Sequence, residues 1–254
     1  MRILLTNDDG INAPGLAALE RVAHKLADEV WVVAPETDQS GKSHSLTLSD
    51  PLRLRALGDR RFAVHGTPTD CVIMGIRHLM PEPPDLVLSG VNRGQNVADD
   101  IGYSGTVAGA MEGTLLGIRS FALSQSFSAE TRHDPKFVTA EAHAPDLLTR
   151  LLELSLPPDI VLNINFPDRP PEKVEGIEIT SQGKRNQAFV DIDERSDGRG
   201  LPYYWIAMRR ERFEAPRGTD LRAMAEGRIS VTPLRLDMTA RDLADRLAGH
   251  LDLV

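Results

Sequence analysis

The first fourteen residues, Met1 to Pro14, limit the fold more than any other stretch of the chain. Ile3, Leu4 and Leu5 form an apolar run that nothing polar interrupts before Thr6. Such a run, closed by polar residues and a glycine, reads as a strand buried on both faces, at the centre of an α/β sheet. Asn7-Asp8-Asp9-Gly10 follows at once. Neighbouring side chains of a strand point to opposite faces, so both carboxylates reach one centre only where the chain turns. Gly10 permits that turn, and Pro14 suits the first turn of a helix. Ligands of open α/β sheets bind beyond the carboxyl ends of strands, which is where this pair falls. The same two Asp also suit a plainer role, solvating a loop or capping the helix.

Further along, Leu16, Leu19, Val22, Ala23 and Leu26 recur at helical spacing, so residues 15–27 read as an amphipathic helix. Val30 to Ala34 is a second apolar strand, stopped by Pro35. Strand, helix and strand in this order make a βαβ unit with a right-handed crossover. Residues 46–57 alternate partly, with a break at Asp50-Pro51, and predict a bent or edge strand pair; Phe62 to His65 predicts another strand. Thr67-Pro-Thr-Asp70 opens a helix to about Met80, with Thr69 the candidate N-cap. Asp85 to Ser89, Phe121 to Leu123 and Ile160 to Phe166 read as further core strands. Residues 107–117 and 138–154 read as helices, with Pro145 able to start a second segment of the latter.

From Arg169 the pattern changes. Strands are expected at Ile177 to Thr180 and at Ile229 to Leu236, the latter near an edge because of Pro233. Between them, Val190 to Ile192 and Tyr203 to Ala207 flank a turn-like Ser196 to Gly200, which predicts a long hairpin. Thr239-Ala-Arg-Asp242 resembles a capping box opening a terminal helix. The expected fold is therefore α/β with a mostly parallel sheet. Residues 1–168 are expected to form the core, and 169–254 a C-terminal region whose arm spans about 184–212.

With 254 residues there is length enough for one large α/β domain or a domain with an extension. A formal net charge of −8 argues against general binding to nucleic acid or to an anionic membrane. It leaves room for a small anionic ligand, since a bound cation reverses the local sign. The single cysteine, Cys71, rules out an intrachain disulfide and agrees with a reducing compartment. No cationic-then-apolar leader and no apolar run of membrane-spanning length occurs, so a soluble cytoplasmic protein is expected.

Three polar loops follow three of the predicted strands and supply Asp8, Asp9, Ser40, Asn92 and Asn96. Carboxylates, a hydroxyl and amide carbonyls are hard oxygen donors, a set that suits Mg2+, Mn2+ or Ca2+ rather than Zn2+. Ser104-Gly105-Thr106 immediately precedes a helix, whose exposed N–H groups can bind phosphate. Those N–H groups can equally be satisfied by Ser104 or Thr106 acting as a cap. Other motifs fail on strict reading. No G-x-G-x-x-G follows the first strand, Gly41-Lys42-Ser43 lacks the earlier P-loop glycine, and the stretch Gly102 to Thr106 departs from G-x-S-x-G in its last place.

Asn7-Asp-Asp-Gly10, Ala34-Pro35 with Ser40-Gly41, Gly66-Thr-Pro-Thr-Asp70, Ser89-Gly-Val-Asn92 and Tyr103-Ser-Gly-Thr-Val107 with Glu112-Gly113 occur here in sequence. In that order they resemble the SurE family (survival protein E), metal-dependent 5'/3'-nucleotidases. The resemblance implies a Rossmann-like three-layer core, an extended C-terminal β-hairpin arm used in oligomerisation, and a terminal helix. It implies a phosphomonoesterase acting on nucleoside monophosphates, with one divalent metal ion per subunit and a homodimer or homotetramer. The family's metal ligands fall on Asp8, Asp9, Ser40 and Asn92, the two Asp being central to catalysis. Its phosphate contacts fall on Asn96, Ser104, Gly105 and Thr106. Two departures stand out: Glu36-Thr-Asp-Gln39 lacks the basic residue often found before the serine, and Ala98 stands where glycine is usual.

Three reaction classes compete. The first is hydrolysis by a water that a bound metal activates. The second is an aspartyl-phosphate route with Asp8 as nucleophile, which usually shows D-x-D rather than an adjacent pair. The third is a receiver-like phospho-acceptor module, which needs an acceptor Asp where this chain has Ser89-Gly90. The residues favour the first.

Overall fold

The computed structural model describes residues 1–185, 190–208 and 214–251. Strand β1 (Arg2–Thr6) lies inside a nine-stranded sheet, paired in parallel with β2 (Glu29–Pro35) on one side and β5 (Leu86–Arg93) on the other. Beyond β2 come β4 (Arg61–Val64), parallel, and β3 (Leu54–Gly58), an antiparallel edge. Beyond β5 come β6 (Ser120–Gln125) and β7 (Ile160–Phe166), both parallel. The far edge is built by β11 (Ile229–Arg235), antiparallel to β7, and β8 (Ile177–Ile179), parallel to β11.

Two helical layers cover this sheet. Ile3 and Leu5 point to one face, where they pack with α1 (Pro14–Ala23) and α4 (Val138–Leu152). Leu4 points to the other, against Cys71 and Val72 of α2 (Pro68–Met74). On that same face Val107 and Ala110 of α3 (Gly105–Leu115) meet Ala122 and Val161. All three β1 side chains are fully buried, worth about 1.5–3 kcal/mol each. The expected Rossmann-like three-layer core is therefore present. A two-stranded sheet of β9 (Val190–Ser196) and β10 (Pro202–Met208) stands apart from it, and short α5 (Asp220–Ala225) and terminal α6 (Arg241–His250) complete the described strands and α-helices.

Several local expectations need correction. The N-cap of α2 is Thr67, not Thr69: its side chain accepts from Asp70 N–H while the Asp70 carboxylate accepts from Thr67 N–H. Pro68 then occupies the first helical turn, where its missing N–H costs nothing. Of residues 46–57 only Leu54 onward forms a strand, because Ser45 and Thr47 are tied to Thr67 and Asp70 instead of to a ladder. Pro145 lies inside one continuous α4 and begins no second segment. The N-cap of α6 is Ala240 with no side-chain bond, so Thr239 closes no capping box. Pro233 pairs with Leu162 of β7 on one side, and β8 ends before reaching it on the other, which leaves room for a residue with no N–H. Ala188 of the expected arm lies outside the described residues, as do 186–189 and 209–213 generally.

Candidate active site

The carboxyl ends of β1, β2 and β5 converge on the Asp8–Asp9 pair. Gly10 follows with φ +101°, the left-handed turn that lets the chain leave the strand. Asn7 fixes the turn by donating from its side-chain amide to Gly10 O at 2.9 Å. The loop after β2 comes in over Asp8, with Gln39 N–H donating to Asp8 O at 2.8 Å, which brings the exposed Ser40 alongside. Asp38 orients that serine by accepting from Ser40 N–H at 2.7 Å.

Asn92 reaches the site through an irregularity. β5 runs on to Arg93 instead of ending at Ser89, but its register against β6 slips between Ser89 and Asn92. Gly90 and Val91 together stand opposite one residue, which is a β-bulge, a device that re-aims side chains next to active sites. Arg93 N–H donates to Asp9 Oδ2 at 3.0 Å, while Asn92 commits its amide nitrogen to Gly94 O at 2.8 Å, which leaves its side-chain oxygen as the donor atom available to a cation.

The start of α3 closes the site from the other face. Ser104 caps that helix, its hydroxyl accepting from Val107 N–H at 3.0 Å. Thr106 does something different: its hydroxyl donates to Asp8 Oδ1 at 2.5 Å. Gly105 makes this approach possible, since a β-carbon there would stand 2.8 Å from Asp8 Cβ. Asn96 is placed deeper. It donates from its side chain to Ser124 Oγ, its backbone N–H bonds Asn165 Oδ1, and its carbonyl accepts from Asn163 and Asn165. Asn96 thus anchors this loop to β6 and β7.

Electrostatics mark the two carboxylates. Burial pushes Asp8 above its ordinary range, against the Thr106 bond that favours its charged form. Burial, and then the Asp8 charge, push Asp9 up to about 7. Asp38 adds to the repulsion at both. Among the described residues no group of three or more His, Cys, Asp or Glu side chains could hold a metal. A cation here would therefore rest on two carboxylates plus neutral oxygens. That donor set fits a hard divalent ion, which would also relieve the buried like charge.

Sequence patterning passed over the cleft beside Asp9, of about 290 Å3, lined by Asp38, Arg93, His133, Asp134, Pro135 and Phe137. Its far wall comes from the irregular segment after β6, and the strand-end rule that located Asp8 points there too. His44 ties the Ser40 loop to α3, its Nε2 lying 2.9 Å from Glu112 Oε2. His65 contributes backbone, its N–H donating to Arg53 O.

Fold and site together define an α/β sheet protein with an acidic, oxygen-lined centre at the carboxyl ends of its parallel strands. Comparison with known proteins makes this specific. A family model described as survival protein SurE matches residues 3–189. The 5'-nucleotidase SurE of Methylorubrum extorquens (strain PA1) is 61% identical over 250 residues, covering 98% of each chain. That of Methylobacterium sp. (strain 4-46) is 62% identical over 252 residues, covering 99% of this chain and 100% of the relative. The crystal structure of SurE protein from Aquifex aeolicus superposes with a TM-score of 0.84 at 42% identity, covering 98% of this chain and 99% of that one. The chain belongs to the SurE family.

Proposed function

We infer that the chain is a 5'-nucleotidase, a metal-dependent phosphomonoesterase that hydrolyses nucleoside 5'-monophosphates, and 3'-monophosphates, to nucleoside and inorganic phosphate. The observation that carries this reading is the pair of adjacent, largely buried carboxylates, both held above their ordinary pKa range, at converging strand ends. Two buried like charges with hard oxygens around them call for a divalent cation, here Mg2+, Mn2+ or Ca2+, with Asp8, Asp9, Ser40 and Asn92 as its ligands. Such an ion supplies Lewis acidity and lowers the pKa of a water. Thr106 holds Asp8 in one orientation, and Arg93 N–H does the same for Asp9. Gly105 and Thr106, at the start of α3, offer backbone to the phosphate. Ser104 shapes that turn as its cap, and Asn96 anchors the loop leading into it. The nucleoside takes the cleft beside Asp9, where Phe137 gives an apolar wall and Arg93 and His133 give donors.

Among the described residues no helix is long and apolar enough to cross a membrane. We place the enzyme in the cytoplasm, where a lone thiol such as Cys71 stays reduced. We assign the β9–β10 arm to assembly of a homodimer or homotetramer, because an isolated hairpin is marginal in water and this one exposes Tyr204, Trp205 and Ile206.

The test is phosphate release from a panel of nucleoside monophosphates, with chelator and with each divalent metal restored. Turnover that chelator abolishes and one of these metals restores is the expected result. Undiminished turnover in metal-stripped protein sinks the metal reading, and no phosphate release from any nucleotide sinks the nucleotidase reading.

A further inference from the structure

Between the anchored Asn96 and the helix cap Ser104 runs a tight turn, Ala98–Tyr103. It opens on Ala98 at φ +53°, a conformation that a residue with a β-carbon rarely adopts. Such a residue persists when its surroundings over-determine it. Here the C-terminal region does so. Asp220, fully buried, accepts from Ala98 N–H at 2.8 Å, and Gln182 donates to Ala98 O at 2.9 Å.

The next two residues are gripped by one arginine. Arg185 N–H donates to Asp99 Oδ2 at 2.6 Å, while its guanidinium makes a two-pronged pair with Asp100 at 3.0 and 2.7 Å. Both side chains of that pair are buried, 6% and 7% exposed. A buried ion pair roughly breaks even against an apolar pair of similar shape, so stability does not explain its presence. What a bidentate contact supplies is fixed geometry. The turn it fixes leads directly into Ser104, Gly105 and Thr106, and Thr106 bonds Asp8.

We propose that Arg185 is a positioning residue for phosphate capture: through Asp99 and Asp100 it locks the Ala98–Tyr103 turn and so sets where the start of α3 meets Asp8. The proposal rests on the reading of that helix start as the phosphate site. It explains how alanine is tolerated where a glycine would sit without strain. Arg185 also lies at the base of the hairpin arm, so a single side chain joins the arm's root to the catalytic loop.

The test removes both charges of the pair together, Arg185→Met with Asp100→Leu. Affinity for inorganic phosphate is measured by calorimetry in the presence of Mg2+, and KM and kcat with a nucleoside 5'-monophosphate. We expect phosphate affinity to fall and KM to rise about tenfold, with kcat changed less than threefold. Adding Ala98→Gly, which removes the strain the clamp opposes, should recover at least half of the loss on a logarithmic scale. Arg185→Lys, which keeps the charge but loses the two-pronged contact, reads the same constants if the double variant does not fold. Phosphate affinity and KM within twofold of wild type in a folded variant overturn the proposal, as does a loss that Ala98→Gly leaves untouched. A wild-type protein that binds phosphate but releases none from nucleotides overturns the functional reading instead, and phosphate affinity still decides the clamp.

Discussion

At the strand ends Asp8 is 4% exposed and receives a hydroxyl bond from Thr106, while Asp9 receives Arg93 N–H. On the hairpin arm Trp205 is 58% and Ile206 73% exposed, and among the described residues β9 and β10 form a sheet of their own. The first region buries charge and surrounds it with fixed donors. The second leaves apolar surface in water on a ladder that is marginal by itself. Each carries a local cost that a bound species would remove: a cation in one case, a second copy of the chain in the other. The two regions should therefore respond to different perturbations, and variants can separate them.

The largest effect should come from Asp8→Asn or Asp9→Asn. Each lowers turnover by at least the roughly 10^2–10^3-fold that losing one preorganised electrostatic contact costs, with circular dichroism and particle mass unchanged. A variant that loses activity only by falling apart into smaller particles would join the two regions that we separate here.

Removal of the metal should expose the stored repulsion as a pH dependence. With Asp9 raised from 3.8 to about 7, the folded state holds a proton that the unfolded state has released. In chelator that contribution is fully present below about pH 4 and is lost as pH rises through about 7. Asp8 acts in the same sense. The melting temperature of metal-free protein should fall across that window, and divalent metal should restore it most strongly above pH 7. A metal-free melting temperature that is flat from pH 5 to 8 would contradict the burial of these charges.

On the arm, replacing residues 186–206 with a short Gly-Ser turn should reduce the particle mass in sedimentation equilibrium while each subunit stays folded. A deletion protein that keeps the wild-type mass multiple would show that assembly uses another surface. Smaller still are Ser40→Ala and Asn92→Ala, which remove the proposed neutral ligands. Each should raise the metal concentration for half-activity by about tenfold, the worth of about 1.4 kcal/mol, without moving the mass. If neither needs extra metal, Ser40 and Asn92 do not contact it.

The core strands were legible because most are short apolar runs ended by glycine, proline or a polar residue: β1, β2 and β6 follow that rule, and β7 keeps its apolar character around two buried asparagines, Asn163 and Asn165. The carboxylate pair was legible for the same reason, standing where such a run stops. What patterning misplaced depends on contacts distant in sequence. Thr47 looked like part of a strand, but its partner is Asp70 on α2. The α2 cap is the exception, a local misplacement: Thr67 and Asp70 stand at capping-box spacing, and Pro68 at the first helical position marks Thr67 rather than Thr69 as the cap. Asn92 itself stands out in the sequence, but its placement beside Asp9 depends on the bulge at Gly90, where an added β-carbon would stand 2.1 Å from Leu123 O, and no local pattern announces a register slip. The cleft wall at His133 and Phe137 comes from a segment with no periodicity and surfaced only once β6 was in place.

Strand order also governs how the chain can assemble as it leaves the ribosome. β1 emerges first and occupies the interior of the sheet, so β2, β5, β6 and β7 each find a waiting edge in order of synthesis. β8 breaks that sequence. It ends at Ile179 and, among the described strands, pairs only with β11, which begins at Ile229. At ordinary translation speeds the gap lasts roughly 3–10 s. During it the apolar hairpin is made while the sheet still shows β7 as an open edge. Premature pairing there, by β9, β10 or a neighbouring nascent chain, is the misfolding route this topology invites, and the late arrival of β11 closes it.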